Sequence, residues 1–274
     1  MHPVLFHLGA VIVPSYGAAA AMGVLLALFL AQATARRFRL ETSAVWNLCV
    51  YTLFAAIVAE RLLLVLLNWS MLRVHPSWLL ALAMVHHPLL SGAGALAGVA
   101  VAWLYARKKN LPALTVADAL AVPVAIGLAF EQLGALLAGS GYGADAPEAL
   151  PWAVTYSSTM AARMSGTPLG VALYPVQAYA ALGWLLLTVF LLLWQLKVRQ
   201  PGDVAGAGLM GFGVVVFLTE LWRADEGRGR MLQGALDGPQ LAAIAAVLAG
   251  AWLLREQRVD SPARNESESE VLHG

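Results

Sequence analysis

Ionisable side chains stand inside three segments that are otherwise apolar. Glu131 lies in G-L-A-F-E-Q-L-G-A-L-L-A-G-S-G-Y-G, from Gly127 to Gly143; Glu60 and Arg61 are adjacent in a second segment; Glu220 and Arg223 close a third. An ionisable group at membrane depth is costly, so it faces protein or water and often marks a functional site. Glu220 and Arg223 are three apart and share a helix face. They form either a local ion pair near the interface or a site in which Arg223 anchors an anionic headgroup and Glu220 orients it. Glu60 and Arg61 point about 100° apart on a helix, so one neighbour cannot receive both squarely. Arg61 either meets an opposite charge or a carbonyl on another helix, or holds a lipid phosphate with its forked donors. Glu131 has no basic residue near it in sequence, and a pairing with Arg61 is open. His86 and His87 are a tandem pair that reads as solvated loop histidines or as a base. No catalytic group is fixed by the residues alone; Glu131, His86 and His87 are the candidates.

Helices that span a bilayer must position these groups. The chain has 274 residues, is 60% hydrophobic and 12% charged, and has a mean hydropathy of +0.71. Soluble domains are about a quarter charged, and a span needs about 20 apolar residues. The expected architecture is an all-α polytopic membrane protein with seven spans. They run near Tyr16–Ala35, Trp46–Leu67, Leu89–Ala106, Val116–Ala138, Tyr174–Leu196, Val204–Trp222 and Gln240–Leu254. Pro123 predicts a kink in the fourth. S-G-A-G-A-L-A-G, opening the third, predicts a close helix contact. The W-L-L-A-L-A-M-V piece within residues 68–88 is too short to span and reads as interfacial or re-entrant. The first apolar run is long enough to remain as a span, so no cleavable signal is expected.

Eleven of the 17 Lys and Arg residues follow spans 1, 3, 5 and 7. Positive residues mark the cytoplasmic side. The expected orientation therefore has the N-terminus outside, the C-terminus cytoplasmic, and the polar 140–173 segment as a small extracytoplasmic head. Residues 1–255 form the membrane domain. Residues 256–274, charged and serine-rich, read as a disordered cytoplasmic tail. The lone Cys49 sits in an apolar segment as a packing residue. No metal-ligand spacing, phosphate-binding loop or nucleophile elbow occurs, so no metal or cofactor is expected. No basic patch suggests nucleic acid.

With the segments in place, the chain resembles the bacterial prolipoprotein diacylglyceryl transferase family over nearly its whole length. Tyr16-Gly17 opens span 1 as in the family, and Arg61 matches a family arginine at the end of span 2. The family signature G-R-x-G-N-F-x-N-x-E-x-x-G falls on E-Q-L-G-A-L-L-A-G-S-G-Y-G, retaining Gly134 and Gly143. H-P-S-Q-L-Y-E becomes Tyr174-Pro175-Val176-Gln177-Ala178-Tyr179-Ala180. R-x-x-x-E-x-x-R becomes Val216, Glu220 and Arg223, and Gln240 matches a glutamine that opens the last span.

The resemblance implies a protein of the bacterial inner membrane that moves a diacylglyceryl group from phosphatidylglycerol to the lipobox cysteine of lipoprotein precursors. A thioether forms and glycerol 1-phosphate leaves. It also implies phospholipid contacts at Arg61, Gln177, Tyr179, Glu220 and Arg223, and structural roles for Tyr16, Gly17, Gly134, Gly143, Pro175 and Gln240. The chain departs from the family at Ala93 (a histidine there), Gln132 (arginine), Ala135 and Ala138 (asparagines), Ser140 (glutamate) and Val216 (arginine). The resemblance therefore implies a kept scaffold and a partly kept headgroup site, leaving turnover open. A second expectation is a member that binds phospholipid or precursor without reacting. A third, a small-molecule transporter, calls for paired internal repeats, and no convincing repeat occurs.

Overall fold

A computed structural model of the chain describes residues 4–8, 11–75, 88–197, 200–224, 230–231 and 236–273. In chain order, a hairpin of β1 (Val4–Leu8) and β2 (Val11–Pro14) precedes α1 (Ser15–Arg37), α2 (Thr42–Leu67), α3 (Trp69–Leu72), α4 (Pro88–Lys108) and α5 (Ala113–Ala138). Then come β3 (Val154–Thr155), α6 (Thr159–Ser165), β4 (Ala172–Leu173), α7 (Val176–Trp194), α8 (Asp203–Glu220), β5 (Arg230–Met231), β6 (Leu236–Asp237) and α9 (Gly238–His273). Seven of these helices are long and apolar enough to cross a membrane, the last of them over Gly238–Arg255. The protein is thus a mostly helical, multi-pass membrane protein. Among the described residues the strands form three two-stranded ladders. The backbone of α9 continues as helix to His273, through the segment whose composition suggests disorder. The interfacial piece around Trp78 lies outside the described residues.

The chain divides into two compact units, Ala35–Val116 and Met1–Thr34 with Ala117–Gly274. In the first of these, α2 packs on α4 through small residues. A Cβ added at Gly94 would stand 2.7 Å from the Ala56 carbonyl oxygen, and one at Gly98 would stand 3.0 Å from that of Thr52. The glycines are four apart and let the two backbones approach, as the glycine-rich sequence predicts. Beside them Ser91 Oγ donates to Glu60 Oε1 at 2.9 Å.

The other unit contains most of the candidate site. Here α1 lies close against α5. A Cβ at Gly23 would meet Phe130 Cβ at 2.6 Å, and one at Gly134 would meet the Tyr16 carbonyl oxygen and Ala19 Cβ, both at 3.1 Å. Helices α8 and α9 approach as closely, with Gly206 and Gly250 facing each other's backbone. Pro123 is accommodated within α5, which runs unbroken to Ala138. Asp118, fully buried on α5, tethers the start of α8: its Oδ2 accepts from the Gly202 amide at 2.6 Å and its Oδ1 from the Ala205 amide at 2.7 Å. The first amides of a helix lack intrahelical partners, so this carboxylate meets a need that a side chain of the same helix usually serves. At α9 the Asp237 amide donates to Gln240 Oε1 at 3.1 Å and the Gln240 amide to Asp237 Oδ1 at 2.8 Å, a reciprocal capping box. That gives Gln240 a structural role at the start of the last span.

The 140–173 segment folds onto the ends of α5, α7 and α8. Helix α5 stops at Gly139, whose φ of +88° suits glycine at a helix end. Extended chain at 143–145 then runs between two partners. Gly143 bridges Arg223 and Asp145 bridges Leu173, while the Ala144 amide donates to the Trp222 carbonyl at 2.8 Å. A side chain at Gly143 would run into the carbonyl of Tyr174, 3.1 Å from that of Trp222, so only glycine fits between them. Thr167 Oγ1 donates to the Gly139 carbonyl at 2.8 Å, and the Tyr156 hydroxyl donates to that of Leu136 at 3.0 Å. These bonds fasten the segment to the end of α5. Burial pushes the Tyr156 hydroxyl up to about 12, with a hydrogen bond to Gln177 acting the other way.

Candidate functional site

A chain of polar contacts crosses from α1 through α5 to the residues just beyond α8. The Tyr16 hydroxyl donates to Glu131 Oε1 at 3.3 Å. Gln132 Nε2 donates to Glu131 Oε2 at 2.5 Å, and Arg223 Nη2 donates to Gln132 Oε1 at 3.1 Å. Arg223 Nε lies 3.6 Å from Glu220 Oε1, and the two side chains are 12% and 6% exposed. The i, i+3 pair, one of the two readings open from the sequence, is formed within a larger cluster. Gln132 is the bridging element, because its amide can donate to a carboxylate on one side and accept from a guanidinium on the other.

Glycines shape the space around Arg223. Gly141, at φ +62°, lies under the guanidinium, and a Cβ there would stand 2.9 Å from Arg223 Nη1. The glycine-rich exit from α5 thus makes room for the arginine. The bridge from Arg223 to Gly143 fixes its backbone, so the side chain starts from a defined place. A buried guanidinium with forked donors suits a phosphate group, which it can hold through two hydrogen bonds. The cluster sets this one cation among two carboxylates, Glu131 and Glu220.

Other residues named from the sequence take different positions. Gln177 is buried on α7 and its amide donates to the Ser140 carbonyl at 2.9 Å, so it secures the start of the 140–173 segment. Pro175 immediately precedes α7 as its cap residue. Gly17 lies beside Pro14 at the start of α1. Tyr179 accepts a hydrogen bond from Trp152 Nε1 at 2.8 Å. Arg61 belongs to α2 and hence to the Ala35–Val116 unit. His86 and His87 lie outside the described residues. A cleft of about 500 Å³ runs along α7 and α8 beneath Trp152, lined by Tyr179, Gly183, Val215 and Trp222 among others. It does not include Glu131, Gln132 or Arg223.

Sequence reasoning missed Asp118, Gln132 and Trp152. Asp118 carried the same signal as Glu131, a carboxylate inside an apolar segment. Gln132 drew notice only as a substituted position, and its bridging role depends on a contact across 91 residues of sequence. Nothing in the local sequence distinguishes Trp152 from other interfacial tryptophans.

Comparison with known proteins adds the family. The model of the prolipoprotein diacylglyceryl transferase family matches residues 3–255. A phosphatidylglycerol–prolipoprotein diacylglyceryl transferase of Clostridium tetani is 27% identical over 261 residues, covering 94% of this chain and 98% of that protein. The enzyme of the same name from Finegoldia magna is 26% identical over 92% of this chain and 94% of its own. That of Idiomarina loihiensis is 33% identical over 65% of this chain and 64% of its own.

Proposed function

The chain belongs to the prolipoprotein diacylglyceryl transferase family, and from that membership we propose that it transfers diacylglyceryl from phosphatidylglycerol to a prolipoprotein cysteine. The reaction takes place at the outer face of the bacterial inner membrane. The observation that carries this reading is the buried Arg223, held by Gln132 and Glu220 over a glycine, within a match to the family along nearly the whole chain.

In this reaction the cysteine thiolate attacks the carbon of the diacylglycerol moiety that is esterified to the phosphate. A C–S bond forms, the C–O bond breaks, and glycerol 1-phosphate leaves with the electron pair. Arg223 binds the phosphate and stabilises its leaving charge, while Glu220 orients the guanidinium. Glu131 is the candidate to take the thiol proton, because a thiol must be deprotonated to attack. Tyr16 and Gln132 hold that carboxylate in place. Removal of one well-placed charge-stabilising donor typically costs about 100- to 1000-fold in rate. With Gln132 and Val216 at positions where the family pattern has arginine, turnover is slow by at least that margin.

A second reading, binding without turnover, is favoured by the same Gln132. A neutral amide there occupies Arg223 without adding positive charge. The two readings separate in a release assay. Purified protein in phosphatidylglycerol nanodiscs should liberate glycerol phosphate when a lipobox peptide is added, and not when the peptide cysteine is replaced by serine. Equal release with both peptides, or none with either, counts against transfer.

A further inference from the structure

The cleft along α7 and α8 lies apart from the Arg223 cluster. Its α8 residues, Val214, Val215, Leu218 and Thr219, fall on one helical stripe that Trp222 continues just beyond the helix. At 100° per residue, the centre of that stripe is roughly 140° from the mean direction of Glu220 and Arg223. The cleft and the cluster therefore share no residue and use different sides of the α8 end. From Val214 to Thr219 the cleft follows the helix for about 7.5 Å, and Trp222 extends it beyond the helix end. It contains no charged side chain.

The two ends differ in chemistry. At one end Trp152, Tyr174, Tyr179 and Trp222 gather. Trp152 donates to Tyr179, and the Tyr179 and Trp222 rings meet edge to face with centroids 6.2 Å apart. Such amphipathic rings concentrate at the level of lipid headgroups. At the other end, Gly183 and Val215 form an apolar floor inside the spans. Val214 and Leu218, on the rim, are half exposed, as is the neighbouring Leu182. The cleft is thus continuous with the protein's interface to the bilayer. At that depth the surrounding medium is hydrocarbon, and an apolar cleft does not retain water.

We propose that this cleft holds one acyl chain of a membrane glycerophospholipid, with the ester group at the Trp152–Tyr179 pair, as a lipid site separate from the headgroup site at Arg223. The Tyr179 hydroxyl accepts from the Trp152 indole and keeps its own proton to donate to an ester carbonyl. Val214, Val215 and Leu218 pack along the chain. Because the cleft recognises a chain and an ester, occupancy is indifferent to headgroup charge.

The test uses phosphatidylcholine carrying a photoactivatable diazirine midway along one chain, added at one equivalent to the detergent-purified full-length protein. Crosslinks should concentrate on peptides containing residues 179–183 and 214–219. They should exceed several-fold those on α1, where Leu25 and Phe29 are 68% and 70% exposed. Leu218→Trp and Val214→Trp place bulk at half-exposed rim positions and should each reduce this labelling several-fold. Arg223→Ala should leave it unchanged, which separates this site from the headgroup reading. Equal labelling of α1 and α8, persistence in both tryptophan variants, or loss with Arg223→Ala would each overturn the proposal.

Discussion

Replacing Arg223 by Ala removes the hydrogen bond to Gln132 and the charge facing Glu220, and leaves two carboxylates without their cation. Hydrogen bonds to charged groups contribute about 1.5–3 kcal/mol, so phosphatidylglycerol binding should weaken about 10- to 100-fold. Binding of diacylglycerol, which offers no phosphate to an arginine, should not change. Native mass spectrometry of the purified variants reads both, and equal loss of the two lipids would speak against a headgroup role. Tyr156 provides a separate check on the 140–173 segment. Its hydroxyl is raised to about 12 in the folded chain, against about 10 for an unperturbed tyrosine. The folded state therefore holds this proton more tightly than the unfolded state. The stabilisation is complete below about pH 10 and is lost as pH rises through 12. Tyr156→Phe should remove that part of the alkaline fall in melting temperature while losing the bond to Leu136. An unchanged slope between pH 10 and 12 would show that the residue is not buried as described. At this scale the sequence revealed Glu131, Glu220 and Arg223, because charges stand out in apolar segments. It did not reveal that Gln132 joins them, since a neutral amide stands out only once its partners are known.

The helices were legible because a bilayer demands long apolar runs, and those runs are visible without any knowledge of packing. Their contacts were legible in part. Glycines at 94 and 98 announce a close approach in sequence, and the structure places α2 against them. The tether from Asp118 to α8 was hidden, because it joins residues more than 80 positions apart. The capping box at Asp237 and Gln240 is a local pattern that could be read directly. Gly134 tests the packing of α1 on α5. A leucine there must displace the Tyr16 backbone and Ala19, and such overpacking typically costs about 1–3 kcal/mol. Gly134→Leu should therefore lower the melting temperature in detergent by several degrees, while Gly134→Ala should have a smaller effect. A leucine variant that melts with the wild type would mean that the two helices do not meet there.

For the whole molecule, seven spans among the described residues and a family match over residues 3–255 define a membrane protein whose polar cluster lies at one end of α5 and α8, next to the 140–173 segment. Charge distribution leads us to propose that this end faces outward. In a Cys49→Ala background, single cysteines in the 140–173 segment should react with an impermeant thiol reagent added to intact cells, and one at Lys108 should not. Labelling at Lys108 would reverse the orientation and move the site to the inner leaflet. The spans and the family were legible in the sequence, whereas turnover was not, because it depends on how much charge stabilisation a single arginine and its partners supply. The most direct measurement is the mass of a lipobox peptide after incubation with the purified chain and phosphatidylglycerol, timed against a family member that retains both arginines. The account predicts a peptide heavier by one diacylglyceryl group, formed at least 100- to 1000-fold more slowly than by that member. A peptide of unchanged mass, from protein that still binds phosphatidylglycerol, would contradict it.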